Sequence, residues 1–237
     1  MRRAIITGCE GQLGRVFVSK LKELGYSVIG VDRCPCSDNL DVEYFQLDIT
    51  KKSLVETFIK SLNGPIDVLI NNAGVSVFSP FEERSEEELD YVIGVNIKGP
   101  LHMTQSVFNY KFKPQMTGCI VNIGSIYGVV AGDMRIYRED DRRTPEIYGA
   151  SKAAVINLTK YFSCYMAPYN VRVNCISPGG IFNNQDKHFV EMYSSKVPMK
   201  RMGFEHELQS TLEYLISEKS SYLTGQNIIV DGGLTAW

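Results

Sequence analysis

No apolar run in this chain of 237 residues approaches the length needed to cross a bilayer, which excludes a spanning helix. Charge of one sign is lacking too. The formal net charge is −2, which excludes a nucleic-acid binder that works by broad phosphate neutralisation. Arg2 and Arg3 are followed by a few apolar residues and then a glycine turn, which leaves no room for a secretory apolar core. Repeats, low-complexity stretches and Pro/Gly-rich linkers are missing. The six cysteines form no framework. Cys34 and Cys36 flank one proline, too tight for a usual zinc pair, and the other four are scattered through apolar or helical contexts. Free thiols in a reducing cytoplasm are therefore expected, with no metal, no nucleic acid and no membrane as partner.

What is present is ordinary in bulk and specific in order. A hydrophobic content of 44% and a charged content of 22% suit a globular protein, and the length suits one large domain over 1–237. Short β-branched runs at 3–7, 27–32, 44–47, 66–70, 119–123, 171–176 and 227–230 predict strands. Longer helical patterns at 12–24, 53–62, 86–109, 146–167 and 205–217 lie between them. Several of the strands are apolar throughout, as parallel strands covered on both faces should be. This alternation predicts an α/β, doubly wound, seven-stranded parallel sheet with helices on both faces. Such sheets bind ligands at the carboxyl ends of their strands.

The first predicted strand runs into Gly8, Gly11, Gln12, Leu13 and Gly14 and then a helix. Glycines there allow a tight turn and a close approach of backbone amides to a pyrophosphate, on which the helix N-terminus also acts favourably. A glycine trio alone is weak; its place directly after an opening strand makes dinucleotide binding the reading. Asp32 ends the second strand, where a carboxylate can accept from both ribose hydroxyls of NAD and repel the 2′-phosphate of NADP. Arg33 beside it could neutralise such a phosphate, so NAD is favoured without excluding NADP. Asp48, followed by Ile49, suits either the adenine amino group or a helix N-cap. Asn72, Ala73 and Gly74 would let the backbone pass close to the adenosine ribose, while Asn71 and Asn72 tie neighbouring strands.

Tyr148 and Lys152 stand four residues apart on a predicted helix and so share one face. A fixed ammonium beside a phenol favours the phenolate, which a tyrosine acting as general acid/base near neutral pH requires. An arbitrary pair of this kind is most often a half-buried ring and a solvated charge. Its company changes that: Asn71 to Gly74, Asn96, Ser125, the Tyr148 and Lys152 pair, then Pro178, Gly179 and Gly180, in this order.

With these residues the chain resembles the short-chain dehydrogenase/reductase family over essentially its whole length. The resemblance implies a single Rossmann-type domain and a catalytic tetrad of Asn96, Ser125, Tyr148 and Lys152. In it Tyr148 passes the proton, Ser125 polarises the substrate oxygen, and Lys152 bonds the nicotinamide ribose. Asn96 would hold a water of a proton relay. Pro178, Gly179 and Ile181 would form the nicotinamide loop, with Asn183 where a threonine often reaches the pyrophosphate. The long helices would form a homodimer or homotetramer interface. Two rivals are an epimerase or dehydratase that retains its NAD, suggested by the glycine spacing, and a dinucleotide-binding regulatory protein without turnover.

Two departures remain. Gln12 stands where compact members usually carry the middle glycine. The segment 129–147 is longer than usual and carries Arg135, Arg138, Arg142 and Arg143 among Asp133, Glu139, Asp140, Asp141 and Glu146. Arginines facing the cleft would pair with an anionic substrate; a solvated loop or a subunit contact is the alternative. The run from Ser125 to Tyr137 also resembles flagellin-modification oxidoreductases of sugar pathways, which implies a sugar or sugar-phosphate substrate. Tyr127 and Tyr137 suit stacking on a sugar ring, or filling the loop's own core.

Overall fold

The computed structural model describes residues 1–37, 40–138 and 143–237. Its strands are β1 (Arg3–Thr7), β2 (Ser27–Asp32), β3 (Glu43–Gln46), β4 (Val68–Asn71), β5 (Gly118–Ile123), β6 (Val171–Pro178) and β7 (Asn227–Val230). They form one parallel sheet in the order β3-β2-β1-β4-β5-β6-β7. The order reverses between β1 and β4, so the chain leaves these two strands in opposite directions and opens a crevice above them.

Period-two alternation divides the sheet between two cores. Ala4, Ile6, Val68, Ile70 and Val121 pack on one face with Phe17 and Leu21 of α1 (Gln12–Glu23) and Leu212 and Leu215 of α8 (Gln209–Ile216). Ile5, Leu69 and Ile120 point to the other face, against Val55 and Ile59 of α2 (Lys52–Ser61) and Met103 and Val107 of α4 (Gly99–Val107). Both faces of the central strands are buried, which explains their unbroken apolar runs.

The helix expected at 86–109 is not uniform. α3 (Glu86–Ile93) opens on a Ser85/Glu88 capping box and passes into a wider π turn at Gly94–Lys98 before α4; a second π turn, Phe108–Phe112, precedes the short α5 (Lys113–Gln115). Pro100 is the reason at the first: it has no N–H for the carbonyl of Asn96, four residues earlier, so the α-helical ladder cannot run through. α6 (Glu146–Met166) matches its expected range closely.

One helix escaped the sequence pattern, α7 (Lys187–Lys196), capped by the Asp186 carboxylate accepting from the His188 and Phe189 amides. Its apolar side makes a small separate core with the long segment after Ser125. Ile136, Tyr193, Val197 and Met202 are buried there, with Tyr137 and Phe189 rings 5.5 Å apart.

Candidate active site

A single cleft of about 840 Å³ follows the carboxyl ends of the strands from Asp32 to Tyr148. Every residue singled out for cofactor or catalysis lines it, except Gly14 and Asn96.

Gly14 lies behind the turn rather than against the cleft. A Cβ built there would come 2.0 Å from the Gly8 carbonyl oxygen, so its absence lets α1 start directly beneath β1. Gly8 has φ +67°, the left-handed region that disfavours a side chain, and packs on Ala73. α1 begins with no side-chain cap and no acidic residue in its first turn. Its first N–H groups are thus available to an anion. A dinucleotide pyrophosphate fits that cradle.

Gln12 departs from glycine with a structural consequence. It is the first residue of α1, and its Nε2 donates to the Phe182 carbonyl at 2.8 Å and to Glu205 Oε2 at 3.4 Å. The glycine turn is thereby strapped to the loop after β6. In that loop Gln185 donates to the Ile181 carbonyl and accepts from the Asn183 amide, so the Asn183 N–H is already engaged.

At the far end, the Asp32 carboxylate accepts from the Glu10 and Cys34 amides, at 3.0 and 3.1 Å. Arg33 lies against the Tyr91 ring, 5.6 Å from its centroid. Asp48 accepts from the Thr50 amide and hydroxyl, so it fixes the turn before α2 rather than capping the helix, whose N-cap is Lys51, and it lines the cleft. Burial opposes ionisation of Asp48, but the Thr50 bonds outweigh it and the carboxyl lies below its usual value. Asn71 bonds Asn122 across β4 and β5, and Asn72 bonds the Thr7 and Gly8 carbonyls, so both asparagines tie strands as expected.

The other end gathers the residues expected to take part in the reaction. Ser125 closes β5, almost fully buried, and its Oγ accepts from the Tyr127 amide at 3.2 Å. Lys152 is buried on α6; its Nζ donates to the Ile123 carbonyl at 2.9 Å and sits 5.6 Å from the centre of the half-buried Tyr148 ring. An ammonium has three donors, so the one spent on Ile123 fixes it while others face the cleft. Gly74 leaves it room: a Cβ there would stand 3.2 Å from Nζ.

Asn96 does not reach the cleft. Its side chain accepts from the Val75 amide, and donates to the Val75 carbonyl and to Ser151 Oγ, whose own proton goes to the Tyr148 carbonyl at 2.7 Å. The π turn thus clamps the loop after β4 to the turn of α6 that carries Tyr148. Asn96 is a positioning residue in this geometry, its side chain spent on Val75 and Ser151.

Among the described residues, the arginines of 129–147 do not line the cleft as a cationic wall would require. Arg135 is exposed and bonds Asp133 at 2.8 Å through two nitrogens; Asp133 also pairs with Lys196. Arg143 is exposed, and neither it, Arg135 nor Arg138 lines the cleft. Arg142, Glu139, Asp140 and Asp141 lie outside the described residues. The segment contributes Thr144 and Pro145 to the cleft instead, beside Tyr127 just before it. Tyr137 donates to or accepts from Thr144 at 2.6 Å and fills the small core, so only Tyr127 is placed for a substrate. Glu10, Ser76 and Gln185, none of them singled out by a motif, also line the cleft. Glu10 was legible from its place inside the glycine turn; the other two carry no local signal.

Arg84, with only 5% of its side chain exposed, ties the loop before α3 to Glu146 at the start of α6. Its guanidinium holds the Glu146 carboxyl below the ordinary 4.5. A carboxyl depressed in the folded state stabilises above its unfolded value and loses that contribution as pH falls through the folded one. Discounted for the half-exposed glutamate, the pair is worth about 1 kcal/mol. Arg84→Ala should therefore melt a few degrees lower at neutral pH, and the difference from the wild type should shrink below about pH 4. Thermal melts across pH check this.

Known proteins similar to this chain are reductases and dehydrogenases. A family model described as enoyl-(acyl carrier protein) reductase matches residues 13–235. A 3-oxoacyl-(acyl-carrier-protein) reductase of Thermotoga maritima is 33% identical over 97% of this chain and 96% of its own. An NAD-dependent glycerol dehydrogenase of Listeria innocua is 30% identical over 98% and 93%. A crystal structure of a short-chain dehydrogenase from Leptospira borgpetersenii with bound NAD+ superposes with a TM-score of 0.93 at 42% identity, over 99% of this chain and 92% of that one.

Proposed function

This chain belongs to the short-chain dehydrogenase/reductase family, oxidoreductases acting on CH–OH groups, and we propose that it exchanges hydride between NAD and a secondary carbinol of a neutral, polyhydroxylated substrate. The observation that carries the substrate class is the character of the cleft around Tyr148. Ser76, Ser125, Thr144, Gln185 and Tyr127 present hydroxyls, an amide and an aromatic face, and of the two cations lining the cleft among the described residues, Lys152 and Arg33, the second belongs to the Asp32 end. The Ser76 hydroxyl is buried without a partner among them, and a buried polar group in that state favours a ligand that supplies one. This composition favours a sugar or polyol over the sugar phosphate that the sequence had also allowed.

The α1 N-terminus, Asp32 and Lys152 would hold NAD, which would supply the hydride acceptor or donor. The chain's own residues manage the proton. Ser125 Oγ, fixed by the Tyr127 amide, donates to the carbinol or carbonyl oxygen and holds it against Tyr148. The Tyr148 phenolate takes the proton in oxidation, and the resulting phenol gives it back in reduction. Lys152, pinned by Ile123, places a positive charge beside the phenolate, and the clamp from Asn96 through Ser151 keeps that turn of α6 in place.

The test is reduced-nicotinamide absorbance with a panel of polyols, aldonates and sugars against acetoacetyl thioesters. Polyol or sugar oxidation with NAD, well above thioester reduction, supports the reading. A thioester preference would return the chain to the acyl-reductase branch of its relatives. Interconversion without net change in cofactor would point to the epimerase class.

The same reading includes a homo-oligomer. Tyr161 and Tyr165 on α6 are 59% and 55% exposed, stacked with ring centres 6.0 Å apart. Exposed paired aromatics on a long helix suit a self-complementary contact. Light scattering should give a dimer or tetramer, and a Tyr161→Lys, Tyr165→Glu double variant should lower the mass.

A further inference from the structure

We propose that Glu10 is a second carboxylate which, together with Asp32, excludes a phosphate from the ribose 2′ position, so that cofactor choice is set by a pair of acids. The inference rests on the cleft being the NAD site and concerns a residue to which neither the glycine motif nor Asp32 assigns a role. Glu10 lines the cleft, and its backbone amide donates to Asp32 Oδ2 at 3.0 Å. The two carboxylates therefore stand within one residue's reach of each other. A phosphate added at the hydroxyl Asp32 would accept from would meet both.

Glu10 is not free to swing aside. Oε1 accepts from the Ser37 amide at 2.8 Å, and the Ser37 hydroxyl lies 3.0 Å from Oε2. Burial works against its ionisation, but the Ser37 bonds and the Arg15 charge outweigh it, and the carboxyl lies below its usual value. The negative charge is thus present and fixed.

Glu10 also removes the cation a phosphate would need. Arg15, on the first turn of α1, gives Nε to the Glu10 carbonyl at 3.0 Å, and one terminal nitrogen to Glu10 Oε2 at 2.5 Å and Ser37 Oγ at 3.1 Å. Arg33 is turned to the Tyr91 ring and hydroxyl. Removing Glu10 would subtract a charge and release Arg15 in one step, whereas removing Asp32 alone does neither at Glu10.

Titration calorimetry of the full chain with NAD and NADP, on the wild type, Asp32→Ser, Glu10→Gln and the Asp32→Ser/Glu10→Gln double variant, tests this. Asp32→Ser alone should still prefer NAD. The double variant should bind NADP about tenfold or more tightly than Asp32→Ser, because like charges facing a ligand are strongly unfavourable. Asp32→Ser/Glu10→Ser, which also removes the Ser37 tether, should show the same gain. NADP binding no tighter in either double variant than in Asp32→Ser overturns the proposal. Failure of the wild type to bind NAD would show separately, in the first arm, that the cofactor reading itself is wrong.

Discussion

Tyr148→Phe should bind NAD as the wild type does and lose turnover by a factor of about 10² to 10⁴, the usual contribution of a positioned general acid/base. The substitution removes one oxygen from a half-buried ring and no hydrogen bond on which packing depends, so the melting temperature should hold within a degree or two. Calorimetry with NAD and initial rates on the same preparation separate the two effects. Lys152→Met is the informative companion. Lys152 both lines the cleft and bonds Ile123, so this variant should weaken NAD binding along with turnover. A Tyr148→Phe enzyme retaining more than a tenth of wild-type kcat would move the proton-transfer role elsewhere in the cleft.

Gly14→Ala should cost the protein both its cofactor and part of its stability. The new methyl would stand 2.0 Å from the Gly8 carbonyl and 2.8 Å from Cys9 Cα, backbone on each side, with no flexible side chain to yield. α1 must then withdraw from the turn, at an overpacking cost of about 1–3 kcal/mol. Its N–H groups withdraw with it, and NAD affinity should fall at least about tenfold if a single charge-assisted bond is lost. Gly11→Ala is the control. Its methyl would meet only the Gly8 carbonyl, at 3.3 Å, but it lies on the cleft wall. The apo protein should melt near the wild-type temperature while NAD binding weakens. Equal loss of stability in both variants would refute the distinction between a packing glycine and a contact glycine.

Much of the site was legible because its motifs are short. Gly8 to Gly14, Asn72 to Gly74, and Tyr148 with Lys152 each lie within one turn or one helix face, where spacing alone decides which groups are neighbours. The illegible parts are those decided across the chain. α7 has a weak pattern of its own because its apolar side meets a segment some fifty residues away, not the sheet. The arginines of 129–147 could be counted, but the direction of Arg135 is set by its pairing with Asp133, which the count does not show. Asn96 was placed in the reaction by its motif. Only the packing of the π turn on α6 shows that its side chain is spent on Val75 and Ser151.

The sequence by itself determined the parallel doubly wound sheet, the end of it that carries the cleft, and which side chains are candidates for the reaction. Strand and helix periods, glycine turns and i,i+4 pairs are local, and hydrophobic burial on two faces leaves few ways to assemble them. Tertiary structure alone decided the strap from Gln12 to Phe182, 170 residues apart, the union of Glu10, Arg15, Ser37 and Asp32 into one acidic site, and the neutral lining around Tyr148. Those contacts exist because the crossovers bring strand ends together, and no pattern within a single segment records which side chains will meet there.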